Sequence, residues 1–141
     1  MAVLVPNLAS PHKVVYIPFG STATPAGTAV VASSVYRMWM TDATSEILAI
    51  QLVRQTGTAG SVTYQAGYIP VTTATGALTA LATTAVTDTA AGLINVPIDA
   101  DANDASKGTT VPPGTVIGFT TNGGSVTTTV LQGVLIRYRS V

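Results

Sequence analysis

The chain has 141 residues and a formal net charge of zero, because six basic and six acidic residues cancel. Charged residues make up 9% of it, against about 25% in an average soluble protein. This composition excludes a basic nucleic-acid surface, and the absence of cysteine excludes disulfides and thiolate metal sites. We also find no run of about 18 apolar residues that could span a membrane, and no cationic start of a signal peptide. We therefore expect partners other than nucleic acid or membrane, and synthesis in a cytoplasm.

Residues 1–12 predict an extended arm, because Pro6 and Pro11 interrupt an apolar stretch that is too short to form a core. The arm offers the apolar side chains Val3, Leu4, Val5 and Leu8. We expect these four side chains to be buried on a neighbouring subunit. Residues 13–141 are predicted to form a single β-sandwich domain.

Short segments rich in β-branched and aromatic residues, separated by turn residues, predict the strands. They cover residues 13–19, 29–40, 46–54, 62–71 and 93–98. Pro18 indicates an edge strand, since it cannot donate to a ladder. Residues 46–54 are apolar on both faces, which predicts a central strand, although a helix is an alternative there.

Three other segments carry more specific predictions. In residues 29–40, alternation places Val35, Arg37 and Trp39 on one side and Tyr36, Met38 and Met40 on the other. Residues 74–91 are predicted to be strand or irregular, with a short helix as the alternative, because alanine and leucine mix with threonine there. Residues 99–113 are predicted to be a polar loop.

The last segment of the sequence has the pattern of an antiparallel hairpin. Asn122, Gly123 and Gly124 adopt positive φ at little cost and lie between two β-rich runs, 115–121 and 126–139. In the second run Val126, Val130, Val134, Ile136 and Tyr138 fall on one side, with Thr127, Thr129, Arg137 and Arg139 on the other. The sequence thus predicts an all-β fold, a single-domain antiparallel β-sandwich or jelly roll.

The inventory of reactive side chains predicts no catalytic residue, cofactor or metal site. His12 is the only histidine and lies in the predicted arm, which is a poor place for a catalytic base. Acidic residues in turns usually cap the backbone. The chain has six carboxylates: Asp42, Glu46, Asp88, Asp99, Asp101 and Asp104. Asp99, Asp101 and Asn103 resemble the start of a calcium loop, but Thr110 stands where the loop needs a glutamate.

The near absence of charge predicts association with other subunits, since net charge normally keeps a monomer apart from its neighbours. We expect a homo-oligomer, a trimer or a dimer. Trp39 is the remaining candidate interface residue, because aromatic side chains commonly anchor interfaces or cores. An exposed Trp39 could instead stack on a sugar ring.

The second half of the chain resembles the capsid decoration, or cement, proteins of tailed bacteriophages. The resemblance lies in the order of elements over residues 77–141: a short strand at 93–98, a polar loop, the Pro/Gly element and apolar strand of 111–119, a Thr/Gly hairpin turn, and a closing strand that ends at 135–139. It implies a virion protein on the outer surface of the capsid, with the major capsid protein as its partner.

Two other functions remain open at this point. A tail, baseplate or head-fibre protein would use the same sandwich to bind a host glycan or protein, and would expose aromatic side chains in a pocket. A secreted adhesin would need a signal. A cement protein instead predicts flat contact faces, and an enzyme has the least support.

Overall fold

The computed structural model describes residues 12–19, 28–29, 35–56, 62–70, 78–89, 92–99, 108–122 and 130–141. Within these ranges the chain forms eleven β-strands and no helix. The strands make two antiparallel sheets packed against each other, so the predicted all-β sandwich is confirmed. Threonine and the β-branched aliphatic residues suit this fold because they pack well on a pleated surface.

The larger sheet, sheet A, is built around two long central strands. Its strands are β1 (Lys13–Pro18), β2 (Thr28–Ala29), β4 (Ser45–Thr56), β8 (Leu93–Val96), β9 (Thr109–Val111) and β11 (Val130–Ser140). The order across the sheet is β1-β11-β4-β8, while β2 also pairs with β11 and β9 also pairs with β4.

The smaller sheet, sheet B, covers the inner face of sheet A. Its strands are β3 (Val35–Met40), β5 (Thr63–Ile69), β6 (Thr79–Ala80), β7 (Val86–Thr87) and β10 (Val116–Asn122). Its order is β3-β10-β5-β6, and β7 also pairs with β5.

The inward-facing side chains of both sheets form one apolar core. Ile47, Ile50 and Leu52 of β4 meet Ile117 and Phe119 of β10 there, and all five are almost completely buried. Complete burial stabilises each such side chain by about 1.5–3 kcal/mol relative to exposure. β4 and β10 both lie inside their sheets, and their buried side chains meet in this core.

Aromatic rings close one end of this core. The ring of Tyr36 stacks on that of Phe119 with centroids 4.8 Å apart, and Phe19 and Tyr64 meet the Phe119 ring edge-on at 6.3 and 6.1 Å. Such geometries suit the quadrupole of an aromatic ring. They fix the position of sheet B relative to the end of β1.

Most of the predicted strands coincide with observed ones. The strands predicted at 13–19, 46–54, 62–71 and 93–98 correspond to β1, β4, β5 and β8. β4 is central, and β1 pairs with β11 alone, so Pro18 does lie in an edge strand. The N–H of Phe19 donates to the carbonyl of Gln132. Pro18 therefore occupies a position whose N–H would point away from the sheet.

The predicted terminal hairpin is wrong. β10 pairs with β3 and β5 in sheet B, whereas β11 pairs with β1, β2 and β4 in sheet A. The chain therefore crosses between the sheets after Asn122, and residues 123–129 lie outside the described ranges. Alternation specifies which face of a strand is buried, but in a sandwich both inner faces are apolar, so it does not specify the partner strand.

The strand predicted over residues 29–40 is also incorrect in part. Thr28–Ala29 belongs to sheet A and Val35–Met40 to sheet B, so the two segments belong to different sheets. A β-bulge shifts the register opposite Ile117 and Gly118 and leaves Met38 as the extra residue. Trp39 consequently packs against the core, as Tyr36 does, while Met40 is 61% exposed.

Short strands occur in the predicted polar loop and in the segment predicted to be strand or irregular. β9 lies inside the predicted polar loop 99–113, where the β-branched run Thr109–Val111 pairs with the start of β4. Within the described residues 78–89, β6 and β7 confirm strand or irregular structure rather than a helix.

Replacement of Gly118 by alanine should destabilise the fold strongly. A Cβ at Gly118 would lie 1.9 Å from the carbonyl oxygen of Tyr36, so β3 and β10 would have to separate at the bulge. We expect the free energy of unfolding, measured by urea denaturation, to fall by about 3 kcal/mol, the upper range for overpacking.

Gly92 provides the matched control, because a Cβ added to it would meet no atom within 4 Å and its φ is not positive. Gly92→Ala should leave stability unchanged or raise it by about 0.4–1 kcal/mol through the unfolded state. Equal effects at both glycines would contradict the proposed crowding at the bulge.

Candidate functional site

The surface of sheet A that points away from the core is the main candidate for function. We call it outer face A, and it consists of Val14 and Tyr16 of β1, Gly133, Leu135 and Arg137 of β11, Ala49, Gln51 and Val53 of β4, and Leu93 and Asn95 of β8. The neighbours of these residues along each strand, such as Ile50, Ile94 and Val134, are buried in the core. Outer face A therefore follows directly from the alternation of four strands.

Strand register arranges outer face A in three rows. Tyr16, Leu135, Gln51 and Asn95 form the central row, with Val14, Arg137 and Ala49 on one side of it and Gly133, Val53 and Leu93 on the other. Most of these side chains are apolar, and Arg137 carries the only charge among them. Val14, Tyr16 and Leu93 are 55%, 43% and 48% exposed. The rows thus form a broad, weakly charged surface.

Tyr16 covers Gly133 on outer face A. A Cβ at that glycine would lie 2.6 Å from two ring carbons and from the hydroxyl oxygen of Tyr16. Its hydroxyl donates a hydrogen bond of 3.2 Å to the carbonyl of Gln132. An aromatic ring laid over a strand glycine fills the space that the missing side chain leaves.

The amide groups of outer face A are also paired with each other. The Nε2 of Gln51 donates to the Oδ1 of Asn95 over 2.6 Å, across the junction of β4 and β8. Together with the hydroxyl bond of Tyr16, this pairing satisfies polar atoms within the face. The arrangement lowers the cost of covering the face with an apolar partner.

The outer surface of sheet B is more polar. Register places Arg37, Gln65 and Thr120 on it, and Thr63 and Asn122 continue the pattern toward one end. Val35 lies opposite Thr120, and Met40, Val116 and Ile69 form an apolar row at the other end. The apolar side chains of this surface therefore lie toward the ends of its strands, whereas those of outer face A occur in all three of its rows.

A buried polar cluster connects the two sheets inside the sandwich. The Arg54 side chain of β4 lies 3.4 Å from the Oδ1 of Asp88, and these side chains are 5% and 0% exposed. The hydroxyl of Tyr64 in β5 donates to the same carboxylate oxygen over 3.4 Å. Burial, and then the charge of Asp88, raise the pKa of Tyr64 well above its usual range, so the phenol stays neutral.

A second buried ion pair lies at the other end of β4. Glu46 is 1% exposed, and its Oε2 accepts a hydrogen bond of 2.5 Å from Nε of Arg139. Its Oε1 accepts a bond of 2.7 Å from the backbone N–H of Gly108, next to β9. Glu46 therefore ties β9 and β11 to the centre of sheet A.

Three of the sequence-predicted carboxylates accordingly have structural partners. Glu46 and Asp88 hold the two buried pairs, and Asp99 accepts a hydrogen bond from the N–H of Thr83. Asp101, Asn103 and Asp104 lie outside the described ranges, while Thr110, at the other end of the segment that resembles a calcium loop, lies in β9. Among the residues that the structure describes, no group of three His, Asp or Glu side chains is arranged to hold a metal ion.

The predicted interface residues fall in two places. Val3, Leu4, Val5 and Leu8 lie outside the described ranges. Trp39 is partly buried, packs against the core, and contacts the ring of Tyr138 of sheet A in a tilted arrangement with centroids 4.5 Å apart. This contact bridges the two sheets, and the role of Trp39 at an interface stays a prediction.

Sequence reasoning missed outer face A. The signal was available, since β4 and β11 carry apolar residues on both sides, such as Ala49 and Val53 beside Ile50 and Leu52. Only the pairing of β11 with β1 and β4 brings these side chains onto one surface.

The chain was compared with protein-family models, with curated proteins and with solved structures. None of them matches. In the part of the chain that the structure describes, no helix has the length and apolar character needed to cross a membrane.

Removal of the Asp88 charge should be far more costly than removal of the hydroxyl that binds it. Asp88→Asn leaves the Arg54 guanidinium buried without a counter-charge, which we expect to lower the free energy of unfolding by about 3 kcal/mol or more. Tyr64→Phe removes one hydrogen bond and should cost about 1 kcal/mol. Urea denaturation of both variants measures the difference, and a cost for Asp88→Asn no larger than that for Tyr64→Phe would argue against a buried ion pair.

The raised pKa of Tyr64 predicts a loss of stability in alkali. In the unfolded chain the phenol ionises near pH 10, whereas in the folded protein it stays neutral to a higher pH. The unfolded state therefore releases the proton first, and stability is complete below pH 10 and falls as the pH rises above it. The Tyr64→Phe variant should lose less stability than the wild type between about pH 9 and pH 11, and parallel pH profiles would contradict this role.

Proposed function

We propose that this chain is a structural protein of a bacteriophage virion, a decoration or cement protein that binds the outside of the capsid and stabilises the shell. The observation that carries the proposal is outer face A, a weakly charged and largely apolar sheet surface on a chain with little charge elsewhere. Such a face suits burial against another subunit of an assembly.

The distribution of charge supports a role as a subunit of an assembly. The chain has twelve charged side chains, and four of them, Arg54, Asp88, Glu46 and Arg139, form the two internal ion pairs. Few charges then remain to hydrate the surface of a 141-residue domain. A free monomer with such a surface has weak protection against association.

The shape of outer face A favours cement over the alternative role in a tail or fibre. Glycan binding would call for aromatic side chains around a pocket. Among the described residues, Tyr16 is the one strongly exposed aromatic side chain, and its ring lies over Gly133. The resemblance of residues 77–141 to decoration proteins agrees with this choice and gives the major capsid protein as the partner.

The direct test is binding to capsids assembled from the major capsid protein encoded in the same genome. Purified chain should sediment with these capsids in a saturable manner, and the decorated shells should resist heat at temperatures that open bare shells. Capsids of an unrelated phage serve as the control. Absence of saturable binding, or binding without any gain in heat resistance, would contradict the cement role.

Deletion of residues 1–10 should weaken capsid binding or assembly while the sandwich remains folded. Val3, Leu4, Val5 and Leu8 could each contribute about 1.5–3 kcal/mol if buried on a partner, before the entropy of ordering is subtracted. Circular dichroism monitors the fold, and capsid sedimentation monitors binding. As a control, a variant with Leu4 and Leu8 changed to serine should show the same loss, and full affinity in the truncated protein would refute the role of the arm.

A further inference from the structure

We infer that outer face A is a self-association surface, on which a second copy of this chain packs face to face around a twofold axis. The inference rests on the proposed function, because it names one partner within the proposed assembly. It also goes further, since it assigns the contact to one surface of one sheet. Sheets packed face to face lie about 10 Å apart and exclude water between them.

Polar groups of outer face A already form hydrogen bonds within the chain. The hydroxyl of Tyr16 donates to the backbone of Gln132, and the amides of Gln51 and Asn95 bond to each other. A partner that covers these groups leaves those hydrogen bonds intact, which lowers the cost of burying their polar atoms.

The size of sheet A reaches the lower limit for a specific dimer. The four strands across the sheet, β1, β11, β4 and β8, are 6, 11, 12 and 4 residues long. At about 3.3 Å per residue and about 4.8 Å between strands, they correspond to roughly 500 Å² of sheet surface. Two such faces would bury about 1,000 Å² in total, which is the area that a specific interface needs.

The charges of the face and of the whole chain allow two copies to meet. The net charge is zero, so no long-range repulsion opposes the approach. Arg137 lies at one end of β11, four residues from Gly133. A twofold axis perpendicular to the strands would place Arg137 over Gly133 of the partner subunit, beside a tyrosine ring that can accept a cation. The two arginines would then lie about 13 Å apart along the strands, beyond the Debye length at physiological salt.

The test introduces the same charge at matched positions on the two sheets. Leu93→Lys places a cation on outer face A, whereas Met40→Lys places one on β3 of sheet B. The replaced side chains are 48% and 61% exposed, so both variants should fold. Sedimentation velocity over a concentration series gives the dimer dissociation constant, and thermal unfolding confirms that each variant is folded.

We expect the wild type to be dimeric at micromolar concentration, Leu93→Lys to weaken the dimer by about tenfold or more, and Met40→Lys to leave it unchanged. Leu135→Lys, in the central row, should weaken the dimer further. A wild type that stays monomeric would overturn the inference. So would a dimer that Met40→Lys disrupts and Leu93→Lys does not.

Capsid sedimentation of the same variants separates this inference from the proposed function. A monomeric wild type whose capsid binding is lost in Leu93→Lys would show that the capsid occupies outer face A, which overturns the dimer and retains the cement role. A dimer that depends on Leu93 in a chain that binds no capsid would support the self-association surface and reject the cement role.

Discussion

The antiparallel pairing of β4 with β11 is the interaction on which the rest of the structure depends. It runs from Ser45 opposite Ser140 to Thr56 opposite Val130, longer than any other pairing among the described strands. β1 and β2 are added on the free side of β11, and β8 and β9 on the free side of β4. Both internal ion pairs also begin on β4, at Glu46 and Arg54. A fault in this pairing would therefore disturb the core, the outer surface and the buried charges together.

The alternation of apolar and polar residues shows which face of a strand is buried, and this determines how much of the fold could be predicted. Alternation and turn residues located β1, β4, β5 and β8 and indicated a sandwich, because burial of one face is a local property of a strand. The pairing of β10 with β11 was predicted wrongly, because both strands present apolar inner faces and would satisfy either sheet. The bulge at Met38, which turns Trp39 toward the core, has no signal in the sequence beyond Gly118, where two backbones approach closely. The face assignment of Trp39 failed for that reason.

The candidate site was even less accessible to sequence reasoning. Outer face A combines residues as distant along the chain as Val14, Leu93 and Arg137, and only the tertiary pairing brings them together. The small number of charges is evident from the composition, but their placement is not. Glu46 and Asp88, which in the sequence are ordinary carboxylates, serve as internal counter-ions. Buried pairs of this kind contribute little net stability compared with apolar residues of the same volume, yet they penalise arrangements that leave one partner alone.

The pairing of β1 with β11 sets the order in which the molecule can form. Lys13 faces Tyr138 across the sheet, so two strands more than a hundred residues apart along the chain are neighbours in space. Closure of so long a loop costs entropy before it gains any contact, and folds rich in such pairings form slowly. During synthesis, β1 and β4 cannot pair with β11 until residues 130–140 have left the ribosome. The apolar sheet surface is consequently assembled last, so that nascent chains do not yet carry the surface through which finished ones would associate.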